Sequence, residues 1–313
     1  MSPSGSGFAH GALLYDDLDG FLEATVPFLR EGLAAGEPAL VAVEPAKLEA
    51  LRAALPDANG SVRFVDMTEL GRNPGRIISA WSDFAREHGA APRLRGVGEP
   101  VWPGRSPEEV VECQRHEALL NVAFADRPGF SLLCPYDRRQ LDTSVLGEAS
   151  RSHVHVVADG AAAPSNAYDA AVAPFAGTLA DPPASAEQLD LRTHPLAQVR
   201  QHVVELAEAA GLETGRVADL VLSVSEAVTN TLCHAGGRGM LRTWRQVDDR
   251  AERVVCEVRD HGRLSDPLVG RLPVSDQHTH GRGLWLIHQL CDLVQIRSTA
   301  KGTVVRMQME TGA

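Results

Sequence analysis

A long stretch rich in alanine, proline, glycine and serine lies near the middle of the chain and divides it. From residue 158 to residue 187 the sequence ADGAAAPSNAYDAAVAPFAGTLADPPASAE shows no sustained helical or strand period, and such a composition is typical of a linker. The chain has 313 residues, about twice the usual domain length of roughly 150. The sequence therefore predicts two domains, at 8–157 and 188–310, joined by a linker at 158–187.

Before the linker, short apolar runs alternate with amphipathic segments. Runs such as LVAV and FSLLC are apolar on consecutive residues, as expected for parallel strands that crossover helices bury on both faces. The first domain is therefore predicted to be a three-layer α/β/α domain. We expect strands at Ala12–Tyr15, Ala39–Val43, Val62–Val65, Leu94–Val97, Phe130–Cys134 and Val154–Val157, and helices at Leu18–Leu33 and Pro107–Phe124.

After the linker the pattern changes. Two long helices are expected near 195–210 and 214–234, then strands near 239–246 and 252–259, a helix from about 282 and two closing strands. In the closing strands Val294 and Ile296 alternate with Gln295 and Arg297, and this alternation predicts one buried and one wetter face. The second domain is therefore predicted to be a two-layer α/β sandwich with a largely antiparallel sheet.

The charge and the cysteine content limit the partners and the compartment. A net charge of −11 disfavours direct contact with nucleic acid or an anionic membrane, so proteins or small molecules are the expected partners. The five cysteines form no CxxC pair, and no run approaches the roughly 18 apolar residues of a membrane span. The start MSPSGSGFAHG resembles no secretory leader. We therefore expect a cytoplasmic protein with reduced thiols.

Lysine is almost absent. The chain has only Lys47 and Lys301, and each follows an alanine. A P-loop needs the sequence G-K-[ST] to reach the β- and γ-phosphates of a nucleotide. Any nucleotide must therefore be held by another architecture.

The predicted helix at 214–234 carries Glu226 and Asn230 one turn apart, on the side opposite a stripe of valine and leucine that also includes Thr231. The amide oxygen of Asn230 can take one position of an octahedral Mg²⁺, and the carboxylate of Glu226 can orient or deprotonate an attacking hydroxyl or water. On its own, this spacing is more typical of a solvated helix face.

Two further motifs follow along the chain. Asp260 ends a predicted strand, where its carboxylate can accept a hydrogen bond from an exocyclic amine such as that of adenine, and Gly262 allows a base to approach the backbone. The run Gly281-Arg282-Gly283-Leu284 opens the next helix, where backbone N–H groups and the helix dipole can hold phosphate without lysine. Taken singly, turn chemistry and a glycine hinge explain these motifs equally well.

Taken in order, the three motifs resemble the nucleotide-binding boxes of the GHKL ATPases. The phrases SEAVTNTLCHA, VRDHG and HGRGLWLIHQLCDLVQIRS are most similar to the anti-sigma-factor serine kinases of that superfamily. The resemblance implies a Bergerat-type fold that binds ATP and Mg²⁺. It implies Glu226 as the catalytic base, Asn230 as the magnesium ligand and Asp260 as the adenine contact, with Gly262 and the glycines of 281–284 lining the nucleotide.

The same resemblance implies a serine or threonine kinase that phosphorylates an anti-anti-sigma partner of the STAS type and can hold a sigma factor. The alternative is a nucleotide-dependent binding switch, in which a lid at Asp276–Gly283 changes partner affinity without phosphoryl transfer. No phosphoacceptor helix precedes the domain, and His194 and His202 are interpreted as surface residues, so histidine autophosphorylation is not expected. His234 is interpreted as a helix cap.

The first half resembles the MEDS sensory domain, a relative of RecA- and KaiC-like folds. The phrases HGALLYDDLDGFLEATVPFLREGLAAGEPALVAV, VGEPVWPG, EALLNVAF and LLCPYD carry this resemblance, which implies detection of a small organic ligand. Candidate ligand contacts lie near predicted strand ends or on the facing helix. They are Glu99, Trp102, Glu117, Asn121, Cys134, Tyr136 and Asp137.

The same half offers weak hints of a metal site. The spacings Cys113-x-x-His116 and His153-x-His155 have no partners at zinc-finger distance, so no metal site is predicted from them. Cys134 is interpreted as a small buried side chain rather than a redox sensor, and Tyr136-Asp137 as a helix cap. The sequence does not decide the oligomeric state, and a homodimer is one alternative.

Overall fold

The computed structural model describes residues 7–58, 60–171, 173, 175–272 and 281–312. It divides into two compact units, residues 1–172 and 173–313. Within the described ranges, no helix has both the length and the apolar character that a membrane crossing requires. All five cysteines are free thiols.

The first unit contains a seven-stranded sheet in the order β3-β2-β4-β5-β1-β6-β7. The first six strands of this order pair in parallel, and β7 pairs antiparallel with β6. Strands β2, β4 and β5 are buried along their whole length, as the consecutive apolar runs predict. The strands are β1 Ala9–Tyr15, β2 Ala39–Val43, β3 Val62–Asp66, β4 Leu94–Gly98, β5 Phe130–Asp137, β6 His155–Ala158 and β7 Ala161–Pro164.

Helices cover both faces of this sheet. Val97 of β4 belongs to the apolar cluster formed with the first two helices, whereas a Cβ atom on its neighbour Gly96 would lie 2.9 Å from Cζ3 of Trp81 in the fourth helix. Adjacent β4 residues thus face opposite helical layers, which confirms the predicted three-layer architecture. The helices are α1 Leu18–Ala34, α2 Pro45–Ala54, α3 Met67–Leu70, α4 Ile77–Glu87, α5 Pro107–Ala123 and α6 Thr143–Ser152, with a short 3-10 helix at Pro74–Arg76.

Local capping fixes where several of these helices begin. The Asp17 carboxylate accepts a hydrogen bond from the amide of Gly20 at the start of α1. Ser106 and Glu109 form a reciprocal capping box at the start of α5. Each cap satisfies amide groups that have no carbonyl partner within the helix, so these helix starts are encoded locally.

The second unit contains a five-stranded antiparallel sheet in the order β11-β12-β10-β9-β8. Three helices pack on one face through an apolar core, which confirms the predicted sandwich. The strands are β8 Glu187–Asp190, β9 Gly239–Val247, β10 Glu252–Asp260, β11 Leu293–Thr299 and β12 Gly302–Glu310, and the helices are α7 Leu196–Ala209, α8 Thr214–His234 and α9 Arg282–Leu290.

The polar face of this sheet is less wet than the alternation predicts. Gln295 and Arg297 are only 3% and 5% exposed. Arg306 pairs with the fully buried Glu257 at 2.7 Å and donates to the carbonyl of Ala180 at 2.6 Å. The expectation of a wetter face is therefore wrong for Gln295 and Arg297, and at Arg306 of the neighbouring strand a buried ion pair and a preceding chain segment cover the polar group.

The stretch predicted as a linker contributes to both units. Strand β7 lies within it and pairs with β6, and Phe175 packs against the core of the second unit. The carbonyl of Phe175 also accepts a hydrogen bond from the amide of Ser298. Composition alone gave no sign of these contacts, because a strand of four small residues carries little apolar periodicity.

Candidate functional site

A cavity of about 580 Å³ in the second unit lies between α8, the end of β10 and the start of α9. These three elements are the ones that carry the three sequence motifs. Seven of the eight predicted site residues line the cavity: Asn230, Asp260, Gly262, Gly281, Arg282, Gly283 and Leu284. The fold thus brings residues separated by more than fifty positions around one space.

Glu226 lies beside this cavity, against the start of α9. A Cβ atom on Gly283 would lie 2.7 Å from Oε2 of Glu226 and 3.3 Å from Nδ2 of Asn230. The two α8 side chains therefore converge on the first turn of α9, and only a residue without a side chain fits between them.

The first turn of α9 presents its backbone to the same space. Gly281 is the N-cap residue with φ of 91°, a left-handed conformation that favours glycine. Its carbonyl accepts the first helical hydrogen bond, from the amide of Trp285. The amides ahead of that bond and the positive end of the helix dipole are able to bind an anion without lysine. Arg282 is exposed beside them.

Asp260 is held at the opposite wall of the cavity. Its Oδ2 accepts a hydrogen bond from Oγ1 of Thr231 at 2.8 Å, and its Oδ1 accepts one from the amide of Gly262 at 2.7 Å. Each carboxylate oxygen can accept a further bond, so the side chain is oriented and still able to bind a donor. The carbonyl of Gly262 accepts a hydrogen bond from Thr303.

Sequence patterns gave no warning of several of these supporting residues. Thr231 belongs to the apolar stripe of α8, yet its hydroxyl orients Asp260. Gly270 has φ of 76°, and a Cβ atom there would lie 2.7 Å from Cβ of Leu284. Ser223, which the helical wheel places on the polar side, is fully buried and donates to the carbonyl of Asp219. The only sequence feature that could have pointed to Thr231 is its position directly after Asn230.

The histidines of this unit lie in different settings. His234 is the exposed last residue of α8 and lines the cavity. His202, interpreted as a surface residue, is only 18% exposed, and its Nε2 lies 2.8 Å from Oγ1 of Thr243. His194 packs its Nδ1 against the carbonyl of Asp190. Of the predicted lid at Asp276–Gly283, residues 276–280, which include His278 and His280, lie outside the described residues.

The residues around the cavity fit a magnesium nucleotide. The missing side chain of Gly283 lets Glu226 and Asn230 lie against the first turn of α9, whose amides and dipole favour an anion. Asn230 offers an amide oxygen, a ligand type that Mg²⁺ accepts alongside phosphate and water. Asn230 would hold the ion, the amides of 282–284 the phosphates and Asp260 the base.

The predicted contacts of the first unit fall into separate groups rather than one site. Glu99 is 1% exposed, and its Oε1 accepts hydrogen bonds from Tyr15 and from Nζ of Lys47, both at 2.7 Å. Burial raises the pKa of Glu99 to about 7 although Lys47 pairs with it. Burial and the neighbouring Glu99 also raise the pKa of Tyr15.

Glu117, Asn121, Cys134 and Tyr136 gather instead around two histidines. His10 of β1 and His153, which directly follows α6, have ring centroids 4.0 Å apart. Cys134 and Glu117 lie against the Nε2 atom of His10. Burial lowers the pKa of His10 to about 4, so its imidazole is neutral.

The last two candidates have local roles. The Asp137 carboxylate accepts hydrogen bonds from the amides of Arg139 and Gln140, which is the turn-capping role expected for this position. Trp102 stacks under the guanidinium of Arg105 at 3.5 Å. Neither residue joins the Glu99 group or the histidine group.

The two folds and the cavity define the class. A mostly parallel α/β unit is followed by a GHKL-type domain, whose cavity is bordered by an E-x-x-x-N helix, a D-x-G strand end and a glycine-opened helix.

Comparison with known proteins gives the family. Residues 9–154 match the model of the methanogen/methylotroph, DcmR sensory domain (MEDS), and residues 189–309 match the histidine kinase-like ATPase domain. The serine-protein kinase RsbW of Halalkalibacterium halodurans is 31% identical over 120 residues, which cover 35% of this chain and 72% of that protein. The chain belongs to the histidine kinase-like ATPase family through its second unit and carries a MEDS domain in its first.

The first half has a relative of its own. The transcriptional repressor DcmR of Methylorubrum extorquens is 27% identical over 152 residues. The match covers 46% of this chain and 57% of DcmR, so the chain spans little more than half the length of that relative.

Proposed function

We propose that this protein is a cytoplasmic regulator that uses Mg-ATP to phosphorylate a serine or threonine of an anti-anti-sigma partner of the STAS type. It would also hold a sigma factor. The MEDS domain would adjust this activity in response to a small organic ligand. The family of the second unit and its similarity to a serine-protein kinase support the proposal.

The observation that carries it is the convergence at Gly283. The glycine lets the Glu226 carboxylate and the Asn230 amide approach the first turn of α9, whose leading amides have no helical acceptor. A terminal phosphate held by those amides would therefore lie next to a base and a magnesium ligand, as phosphoryl transfer requires.

Each residue then has one task. Glu226 orients the partner hydroxyl and accepts its proton while the oxygen bonds to the γ-phosphorus and the bond to the β-phosphate oxygen breaks. The amides of 282–284 and the dipole of α9 hold the phosphates. Asp260, fixed by Thr231 and Gly262, accepts from the adenine amine. Magnesium bound at Asn230 would neutralise phosphate charge.

The test is transfer of labelled γ-phosphate from ATP to a purified anti-anti-sigma protein and to its Ser→Ala phosphosite variant. Glu226→Gln should keep nucleotide binding and lower transfer by at least about 100-fold, the usual contribution of a general base. Asn230→Ala should remove the magnesium-dependent part of ATP binding. Glu208→Gln, an exposed carboxylate on α7, serves as the control and should change neither.

Two other outcomes distinguish the kinase from the binding switch and test the magnesium ligand. A partner that is retained only with Mg-ATP but never gains phosphate would favour the binding switch. Full ATP affinity in Asn230→Ala would contradict the magnesium assignment in both versions of the proposal.

A further inference from the structure

Four buried side chains meet in the first unit, far from one another in sequence. His10 lies on β1, Glu117 on α5, Cys134 on β5 and His153 directly after α6. All four are at most 1% exposed. One nitrogen, oxygen or sulfur atom of each lies within 4.8 Å of the corresponding atoms of the others.

Hydrogen bonds at the far side of each imidazole fix which nitrogen faces the group. Nδ1 of His153 lies 2.7 Å from the carbonyl of Ala149, which can only accept, so this nitrogen carries the proton. Nδ1 of His10 lies 3.1 Å from Oδ1 of Asn121. The Asn121 amide is oriented by its own donation to the carbonyl of Ser152 at 2.7 Å.

The Nε2 atom of each imidazole therefore faces the centre of the group. Oε2 of Glu117 lies 3.0 Å from Nε2 of His10 and 3.2 Å from Nε2 of His153. Neither carboxylate oxygen of Glu117 nor Nε2 of His153 makes a hydrogen bond among the described residues. The thiol of Cys134, 3.3 Å from Nε2 of His10, is the neighbouring donor that can supply a proton.

Several buried lone pairs thus face one another with few protons between them, which is costly unless a cation joins them. Histidines whose Nδ1–H donates to a carbonyl or amide oxygen, with Nε2 left free, are typical of metal ligands. From this arrangement we infer that His10, Glu117, Cys134 and His153 form a structural zinc site.

The ligand set and its spacing favour zinc. Tetrahedral Zn²⁺ binds nitrogen, oxygen and sulfur at roughly 2.0–2.3 Å, which separates neighbouring ligand atoms by about 3.3–3.8 Å. The observed separations of 3.0, 3.2 and 3.3 Å are close to this range. A thiolate and a carboxylate also neutralise the ion, so no net charge is buried.

Four protein ligands leave no open position, which is the arrangement of a structural rather than a catalytic zinc. The ion would tie β1, β5, α5 and the end of α6 together. Binding would displace one proton, from the thiol of Cys134 to solvent, as Zn–S bond formation requires.

The test uses the full, untagged chain with Co²⁺ alone as the probe, after chelation and removal of resident metal. One Co²⁺ per chain should bind, with the visible bands of a tetrahedral ion and a sulfur-to-cobalt charge-transfer band. Cys134→Ala should lose the charge-transfer band. Cys113→Ala, on the buried thiol that donates to the carbonyl of Pro100, is the matched control and should keep it.

Asn121→Ala keeps all four ligands and should lower Co²⁺ affinity by about 10- to 100-fold, the usual effect of removing a group that orients a ligand. Circular dichroism separates loss of binding from loss of folding, and the near-isosteric Glu117→Gln provides a second ligand variant. A folded wild-type chain that takes up no tetrahedral Co²⁺, or a charge-transfer band that survives in Cys134→Ala, would overturn the inference.

Discussion

Thr231 donates its hydroxyl to Oδ2 of Asp260 at 2.8 Å and so links the last turn of α8 to the end of β10. The threonine is fully buried, whereas Asp260 is partly exposed and lines the cavity. The second oxygen of Asp260 is held by the amide of Gly262. A residue in the apolar stripe of α8 therefore sets the direction of the predicted adenine contact.

Replacing this hydroxyl should weaken nucleotide binding. Thr231→Val keeps the shape but leaves Asp260 without one of its two anchors, and we expect a loss of about tenfold in ATP affinity, or about 1.4 kcal/mol. Isothermal titration with Mg-ATP measures it. The exposed neighbour Thr229→Val on the same helix is the control; equal affinities for the two variants would show that Thr231 does not orient Asp260.

A side chain at Gly283 should weaken nucleotide binding without preventing folding. Gly283→Ala would place Cβ 2.7 Å from Oε2 of Glu226 and push that carboxylate and Asn230 away. The displaced atoms end flexible side chains, so folding should persist while ATP affinity falls by at least about tenfold. Gly215→Ala, near the start of α8, meets nothing within 4 Å and should bind normally. Unchanged binding by Gly283→Ala would contradict the close approach.

Gly302 should be required for the fold of the second unit. Its φ is 119°, and a Cβ atom there would lie within 1.9 Å of the carbonyl oxygen of Asp260. Gly302→Ala should separate β12 from β10 and destabilise the unit by at least about 2 kcal/mol more than Gly211→Ala, which has a positive φ but open space. Chemical denaturation measures the free energy of unfolding of the two variants. Similar losses in both would mean that the left-handed backbone conformation, and not the contact with Asp260, causes the destabilisation.

The stability of the first unit should depend on the protonation of Glu99. Its ordinary pKa is 4.5 and burial raises it to about 7, so the folded state binds more protons than the unfolded state between these values. The resulting contribution to the free energy of unfolding is fully present below about pH 4.5 and is lost as pH rises through 7. The total loss is up to about 3 kcal/mol.

Glu99→Gln cannot ionise and should remove this pH dependence. Hydrogen exchange of β1 and β4 amides between pH 5 and 8, corrected for intrinsic rates, provides the measurement. Glu49→Gln, which changes an exposed carboxylate on α2, is the control and should keep the wild-type slope. A slope in Glu99→Gln equal to that of the wild type would assign the dependence to other groups.

The local patterns of the sequence predicted the elements well. Apolar runs located β2 and β5, and the stripe of α8 placed Glu226 and Asn230 on one side of a helix. Such periods depend on the geometry of a single element, so they survive without knowledge of its neighbours. The same patterns gave the wrong environment for Gln295 and Arg297, since burial depends on what covers a strand.

The sequence by itself determined the two halves, their layer architecture and the order of the three nucleotide motifs, because composition, periodicity and glycine placement act over short distances. Tertiary structure alone decided that Thr231 holds Asp260 and that His10, Glu117, Cys134 and His153 meet. The spacing motifs around Cys113 and His155 suggested no metal site. The four side chains come from separate parts of the fold, and only the packing of β1, α5, β5 and the end of α6 brings their polar atoms within 4.8 Å of one another.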